Sequence, residues 1–127
     1  MGYVDVSDDE TTKRVGRRDI VIAWRGTVTH VEWVANHQNY LKHIYEDIPC
    51  PDNDVRVEAG FLDMYTDQKN KDGYCKYSAR EQVLGELKRL LVKYSNEEVS
   101  VTLTGHNLGS AMAMLSAFDI AETRLNV

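Results

Sequence analysis

The residues whose types and spacing come nearest to chemistry are Gly105-His106-Asn107-Leu108-Gly109. Two glycines bracket a central residue at the interval of the G-x-S-x-G nucleophile elbow, a sharp strand-to-helix turn that exposes a serine oxygen for attack on an acyl carbon. A turn that sharp leaves no room for a Cβ two positions either side of its apex, and both of those positions are glycine. The apex itself is Asn107. Asparagine tolerates positive φ better than most residues and can keep such a turn. Its carboxamide nitrogen has a delocalised lone pair and gives a general base no useful proton to remove, so it is no substitute for the serine.

The elements that would position this turn are readable on both sides of it. Val99, Val101 and Leu103 alternate with Ser100, Thr102 and Thr104, a strand pattern rich in β-branched residues. From Leu108 to Ala121 nearly every residue is apolar or small, long enough for a buried helix. Upstream, Gly2–Val6 reads as a short strand, and residues 7–18, with acids and bases interleaved, as a solvated hairpin rather than a phosphate or membrane-surface patch. The unbroken apolar run from Ile20 to Trp24 within 19–25 predicts a central strand buried on both faces. Gly26 and Thr27 then break it. A hydroxyl and an N–H just past a strand end suit a ligand-binding loop, but taken alone Thr27 reads first as a plain turn residue.

Residues 29–36 predict a short helix with Val31, Val34 and Ala35 on one side, and Trp33 is either a core residue or a contact over an active-site mouth. A weak alternation over 37–44 predicts a strand, the two prolines of 49–53 a loop, 55–59 a brief strand, and residues 60–66 a helix. Residues 67–77 read as a surface loop. Ser78 and Glu81 have the spacing of a capping box opening an amphipathic helix with Val83, Leu84, Leu87, Leu90, Leu91 and Tyr94 on one face. Strands alternating with helices predict an α/β fold with a mixed or parallel sheet.

Composition narrows the function classes. With 43% hydrophobic and 28% charged residues the chain has an ordinary globular make-up, sized for one domain over 1–127 or a piece of one. A formal net charge of −5 argues against a nucleic-acid partner. Cys50 and Cys75 stand apart with no metal-ligand spacing and read as reduced thiols of a cytoplasmic protein. His30, His37, His43 and His106 form no ligand pattern either, so neither metal nor cofactor is expected. The polar opening residues lack the apolar core of a signal peptide.

Taken in order, IAWRGT, a Trp-containing segment, an AGF stretch and TGHNLGSA resemble the fungal-type class 3 lipases. With GYVDVSDDET and RRDIV ahead of them, they are most similar to the plant cytosolic class II phospholipase A1 branch. That resemblance spans about residues 2–122. It implies a partial α/β-hydrolase (lipase) fold, a mixed sheet with flanking helices whose C-terminal part lies beyond this chain. It also implies hydrolysis of the sn-1 acyl ester of phospholipids, a lipid substrate and transient contact with a membrane surface. By the same resemblance Asn107 stands at the nucleophile position. Thr27 and the Leu108 N–H stand at the oxyanion hole, Gly105, His106 and Gly109 in the elbow, and Val31, Trp33 and Val34 in the lid. Ser110 stands where the family usually has Gly or Ala. The triad acid and base follow the nucleophile in this fold; Asp119 and Glu122 lie on the helix leaving the elbow and are carried away from it, and no histidine follows His106. The expectation is therefore an inactive chain as written: a piece of an esterase, a lipid- or protein-binding relative, or a truncated gene product with no function of its own. Its elbow strand is expected to form an exposed sheet edge that a partner could cover.

Overall fold

In the computed structural model the described residues are 2–26, 41–43, 48, 55–66 and 77–123. The elements run β1 (Gly2–Val6), α1 (Asp9–Val15), β2 (Arg18–Trp24), β3 (Leu41–His43), β4 (Arg56–Glu58), α2 (Ala59–Thr66), α3 (Ala79–Lys93), β5 (Val99–Gly105) and α4 (Leu108–Glu122). The main sheet has the order β1-β2-β5, and β3 and β4 form a separate antiparallel pair. β1 lies antiparallel to β2, with Val4 opposite Ile22. β5 lies parallel to β2, with Ile22 opposite Leu103 and Trp24 opposite Gly105.

One face of this mixed sheet carries the core. Ile20, Ile22 and Trp24 are buried there, and Val4, Val6, Val99, Val101 and Leu103 share the face by register. Helices α2, α3 and α4 supply the opposing layer through Leu62, Tyr65, Leu87, Leu90, Met112 and Leu115, all buried. β2 is not buried on both faces as its composition predicts: Val21 and Ala23 are only partly covered, while their neighbours on the helix side are closed off. α4 is likewise one-sided. Leu108, Met112, Leu115, Ser116, Asp119 and Ile120 face inward, whereas Met114 is 76% exposed.

The predicted hairpin over 7–18 contains a helix instead, and its ends explain why. Asp8 accepts a hydrogen bond from the Thr11 N–H, Asp9 and Glu10 occupy the first turn, and Lys13 and Arg14 the last. Gly16, at φ 89°, closes the helix with its N–H on the Thr12 carbonyl. Acids at the start and bases at the end suit the helix dipole, which makes a helix of a segment with no buried residue. The predicted strand over 37–44 is present at Leu41–His43, and that over 55–59 at Arg56–Glu58. Ser78 caps α3 by accepting from the Glu81 N–H. The predicted helix over 29–36, the proline loop of 49–53, most of the loop over 67–77 and both cysteines lie outside the described residues.

Candidate active site

β5 ends at Gly105 and α4 begins at Leu108, so the chain reverses direction through His106 and Asn107. Asn107 has φ 57° and ψ −120°, the single positive φ at a non-glycine among the described residues. Two close backbone approaches force that corner. A Cβ on Gly105 would overlap the carbonyl of Gly109, and a Cβ on Gly109 would overlap the Trp24 carbonyl and come within 2.9 Å of the Arg25 carbonyl oxygen. The helix therefore starts directly over the end of β2, with its first turn tightened by the Gly109 N–H on the His106 carbonyl and the Ser110 N–H on the Asn107 carbonyl. The Ser110 hydroxyl also donates to the Asn107 carbonyl.

The groups at the corner differ in exposure. Asn107 and His106 are exposed, and the Asn107 side chain makes no capping hydrogen bond. Leu108 is buried as a side chain. Its N–H, at the first helical position, has no carbonyl four residues back to bond and sits at the positive end of the helix dipole. The exit of β2 reaches the same place: a Cβ on Gly26 would lie 2.9 Å from the His106 carbonyl oxygen. Thr27 follows Gly26 but falls outside the described residues, as do Val31, Trp33 and Val34. A corner so built can present N–H groups to a developing oxyanion; an amide at its apex cannot attack.

Behind the corner lies a polar cluster that pattern reading alone does not find. Asp119, fully buried on α4, accepts from the Tyr65 hydroxyl at 2.7 Å and from the Arg80 guanidinium at 2.7 and 3.1 Å. Burial, and then the Asp119 charge, push the Tyr65 phenol well above the ordinary tyrosine range. One helical turn earlier, Ser116 accepts from the Trp24 indole N–H at 2.9 Å, and the Trp24 and Tyr65 rings meet edge to face at 5.9 Å. These contacts tie α4 to β2, α2 and α3. Asp119 therefore has a structural partner set and no path to the elbow apex. Its sequence signal is that of an acid set on the apolar face of a helix, where a cation must meet it, rather than that of a triad member.

A cavity of about 320 Å³ lies elsewhere, between the β1–β2 strands and α3, lined by Val4, Ile22, Trp24, Ala79 and Val83 among others; no elbow residue lines it. Among the described residues no group of three His, Cys, Asp or Glu could hold a metal ion, and no helix is long and apolar enough to cross a membrane.

Comparison with known proteins gives a consistent answer. Residues 21–127 match the family "Lipase (class 3)". The chain is 56% identical to phospholipase A1-Igamma2, chloroplastic, of Arabidopsis thaliana over 99% of its own length and 25% of that protein's. It is 48% identical to the chloroplastic galactolipase DONGLE of the same plant, over 99% of this chain and 27% of that one, and 44% identical to phospholipase A1-IIgamma, over 99% and 30%. It thus spans about a quarter of the curated relatives it matches. Among solved structures, a fungal lipase captured in an inhibitor complex superposes with a TM-score of 0.69 at 22% identity, covering 99% of this chain and 39% of that one. The fold is that of a lipase-type α/β-hydrolase, in part. The cytoplasmic location expected from the isolated cysteines and the resemblance to a cytosolic branch is corrected by these relatives, several of which are named chloroplastic. In a chain that spans a quarter of its relatives, the polarity of the first residues does not bear on whether a leader precedes them.

Proposed function

The chain belongs to the class 3 lipase family, and from that premise we propose that it carries the oxyanion-binding half of an acyl-ester hydrolase site for plant glycerolipids. In this reading one lipase-like unit spans residues 1–127. The Leu108 N–H and Thr27 are the donors for the oxyanion, Gly105, His106 and Gly109 hold the corner, and Val31, Trp33 and Val34 belong to the lid. The substrate class follows the names of the relatives, phospholipase A1 and galactolipase, and with it an sn-1 acyl ester met at a lipid surface. Their chloroplast names favour a plastid membrane as that surface. The backbone of Asn107, φ 57° and ψ −120°, carries the reading, because a strand-to-helix corner of that kind leaves the N–H at the first helical position, that of Leu108, without a helical partner, as an oxyanion site requires.

The same residue argues that the chain as written does not turn over esters. With an amide at the apex, the corner has no nucleophile to offer an acyl carbon. What the corner retains is the capacity to bind an ester carbonyl without cleaving it, which supports a lipid-binding role for this chain. The experiment is direct: assay the chain on a p-nitrophenyl short-chain ester and on phospholipid and galactolipid vesicles, with co-sedimentation read in parallel. Vesicle binding without hydrolysis is expected. Turnover that purifies with the chain and is lost in Thr27→Ala would overturn the inactive reading, and absence of binding would overturn the lipid-binding one.

A further inference from the structure

At ψ −120° the Cα–Cβ bond of Asn107 eclipses the bond from its carbonyl carbon to the Leu108 nitrogen. In ordinary helix or strand backbone those two bonds stand well apart, which keeps the side-chain carbon away from the following nitrogen. Eclipsing puts the Leu108 nitrogen, the Asn107 carbonyl carbon, Cα and Cβ nearly in one plane, four of the five atoms of an imide ring, and rotation about the Cα–Cβ bond alone brings Cγ in to complete it. Three other features favour closure. The Asn107 side chain is exposed and makes no capping hydrogen bond, so nothing holds it back from that ring. The Leu108 N–H is not committed to a helical carbonyl. The Asn107 carbonyl accepts two hydrogen bonds, from the Ser110 N–H and the Ser110 hydroxyl, which stabilise the negative charge that spreads onto this peptide group when its nitrogen loses a proton.

We propose that Asn107 is a site of self-modification, at which the Leu108 nitrogen closes onto the side-chain amide and the residue becomes aspartate or isoaspartate. The steps balance with water as the only co-reactant. Hydroxide takes the Leu108 N–H proton, the nitrogen attacks Cγ, and a new N–Cγ bond forms as the Cγ–Nδ2 bond breaks. Ammonia departs with a proton from water. Water then opens the cyclic imide at Cγ, giving aspartate, or at the main-chain carbonyl, giving isoaspartate. The net change is one water consumed and one ammonia released. Opening at Cγ leaves a carboxylate at the elbow apex, against the positive end of α4.

This modification does not depend on the lipase reading; it rests on the backbone of one residue. To test it, the purified chain is incubated folded and, in parallel, in urea, at neutral and mildly alkaline pH. Each sample is followed by intact mass and by peptide mapping of residues 96 and 107. In the folded chain, position 107 passes through a species lighter by one ammonia and then to the acid, several-fold faster than Asn96, at a rate that rises with pH. In urea the conversion at 107 slows several-fold, because the eclipsed backbone is lost. Asn107 still intact after Asn96 has reacted, or equal rates at 107 in folded and urea-treated samples, would overturn the proposal.

Discussion

Asn107 combines an unusual backbone with an ordinary side chain, and each half has its own consequence. Positive φ at a non-glycine costs free energy, on the order of 1–3 kcal/mol, and persists only where the surroundings over-determine it. Here they do, through the contacts of Gly105 with Gly109 and of Gly109 with the Trp24 carbonyl. Single residues also set how the fold responds to acid. The Thr11 backbone N–H holds the Asp8 carboxyl below the usual carboxylate range, the Ser100 hydroxyl does the same for Asp19, and the Arg18 guanidinium for Glu97. A carboxylate whose folded pKa is depressed contributes stability that is complete above its unfolded pKa, near 4 for such groups, and lost as pH falls through the folded value. Melting temperature should therefore hold level from neutrality to about pH 5 and fall below about pH 4. A melting curve unchanged from neutrality into that acid range would show that these contacts contribute nothing.

Between elements, the buried polar cluster outweighs any surface pair. Asp119 on α4 answers Arg80 on α3 and Tyr65 on α2, with both carboxylate oxygens engaged. Removing it strands a guanidinium and a phenol that are partly or wholly closed to water. Asp119→Ala should cost about 3–5 kcal/mol, measured by urea unfolding. A cost within about 0.5 kcal/mol, the scale of a surface substitution, would show the cluster to be dispensable. Such a cluster illustrates where a sequence stops being legible. The elbow can be read from five consecutive residues because its steric demands are local: small, any, apex, any, small. The α3 cap can be read for the same reason, from Ser78 and Glu81. Tyr65, Arg80 and Asp119 are brought together only by the packing of three helices, and nothing near any one of them in sequence names the other two. α1 is legible in principle, with Asp8, Asp9, Glu10, Lys13, Arg14 and Gly16 in capping order, but its lack of an apolar face removes the usual periodic signal.

For the molecule as a whole, the placement of β5 matters most. Among the described residues its one strand neighbour is β2, and no described strand pairs with its other edge. Val99, Val101 and Leu103 are only partly buried there, Thr102 and Thr104 are exposed, and the outward side of α4 adds Met114. A strand with a free, apolar edge is a template for another chain. The chain alone should self-associate with rising concentration in sedimentation experiments, and Thr102→Lys, which puts charge on the exposed side of that strand, should reduce the association. A monodisperse monomer at all concentrations would mean that this edge is covered. At the other end of the sheet Arg18 is fully engaged: it bonds Glu97, Asp9 and the Ser7 carbonyl, and its guanidinium stacks 4.3 Å from the Tyr94 ring centroid. This ties α1, β2 and the α3–β5 turn together, so the β2 end remote from the elbow is the anchored one.

The proposed oxyanion site and the proposed imide closure both depend on the backbone at one position, Asn107. Nuclear magnetic resonance of the isotopically labelled chain measures it, through the Asn107 backbone couplings and the short Hα–HN distance that positive φ produces. The lipase-type corner predicts positive φ at residue 107 with an abrupt change from strand to helix shifts across it; negative φ there, continuous with either neighbour, would contradict it.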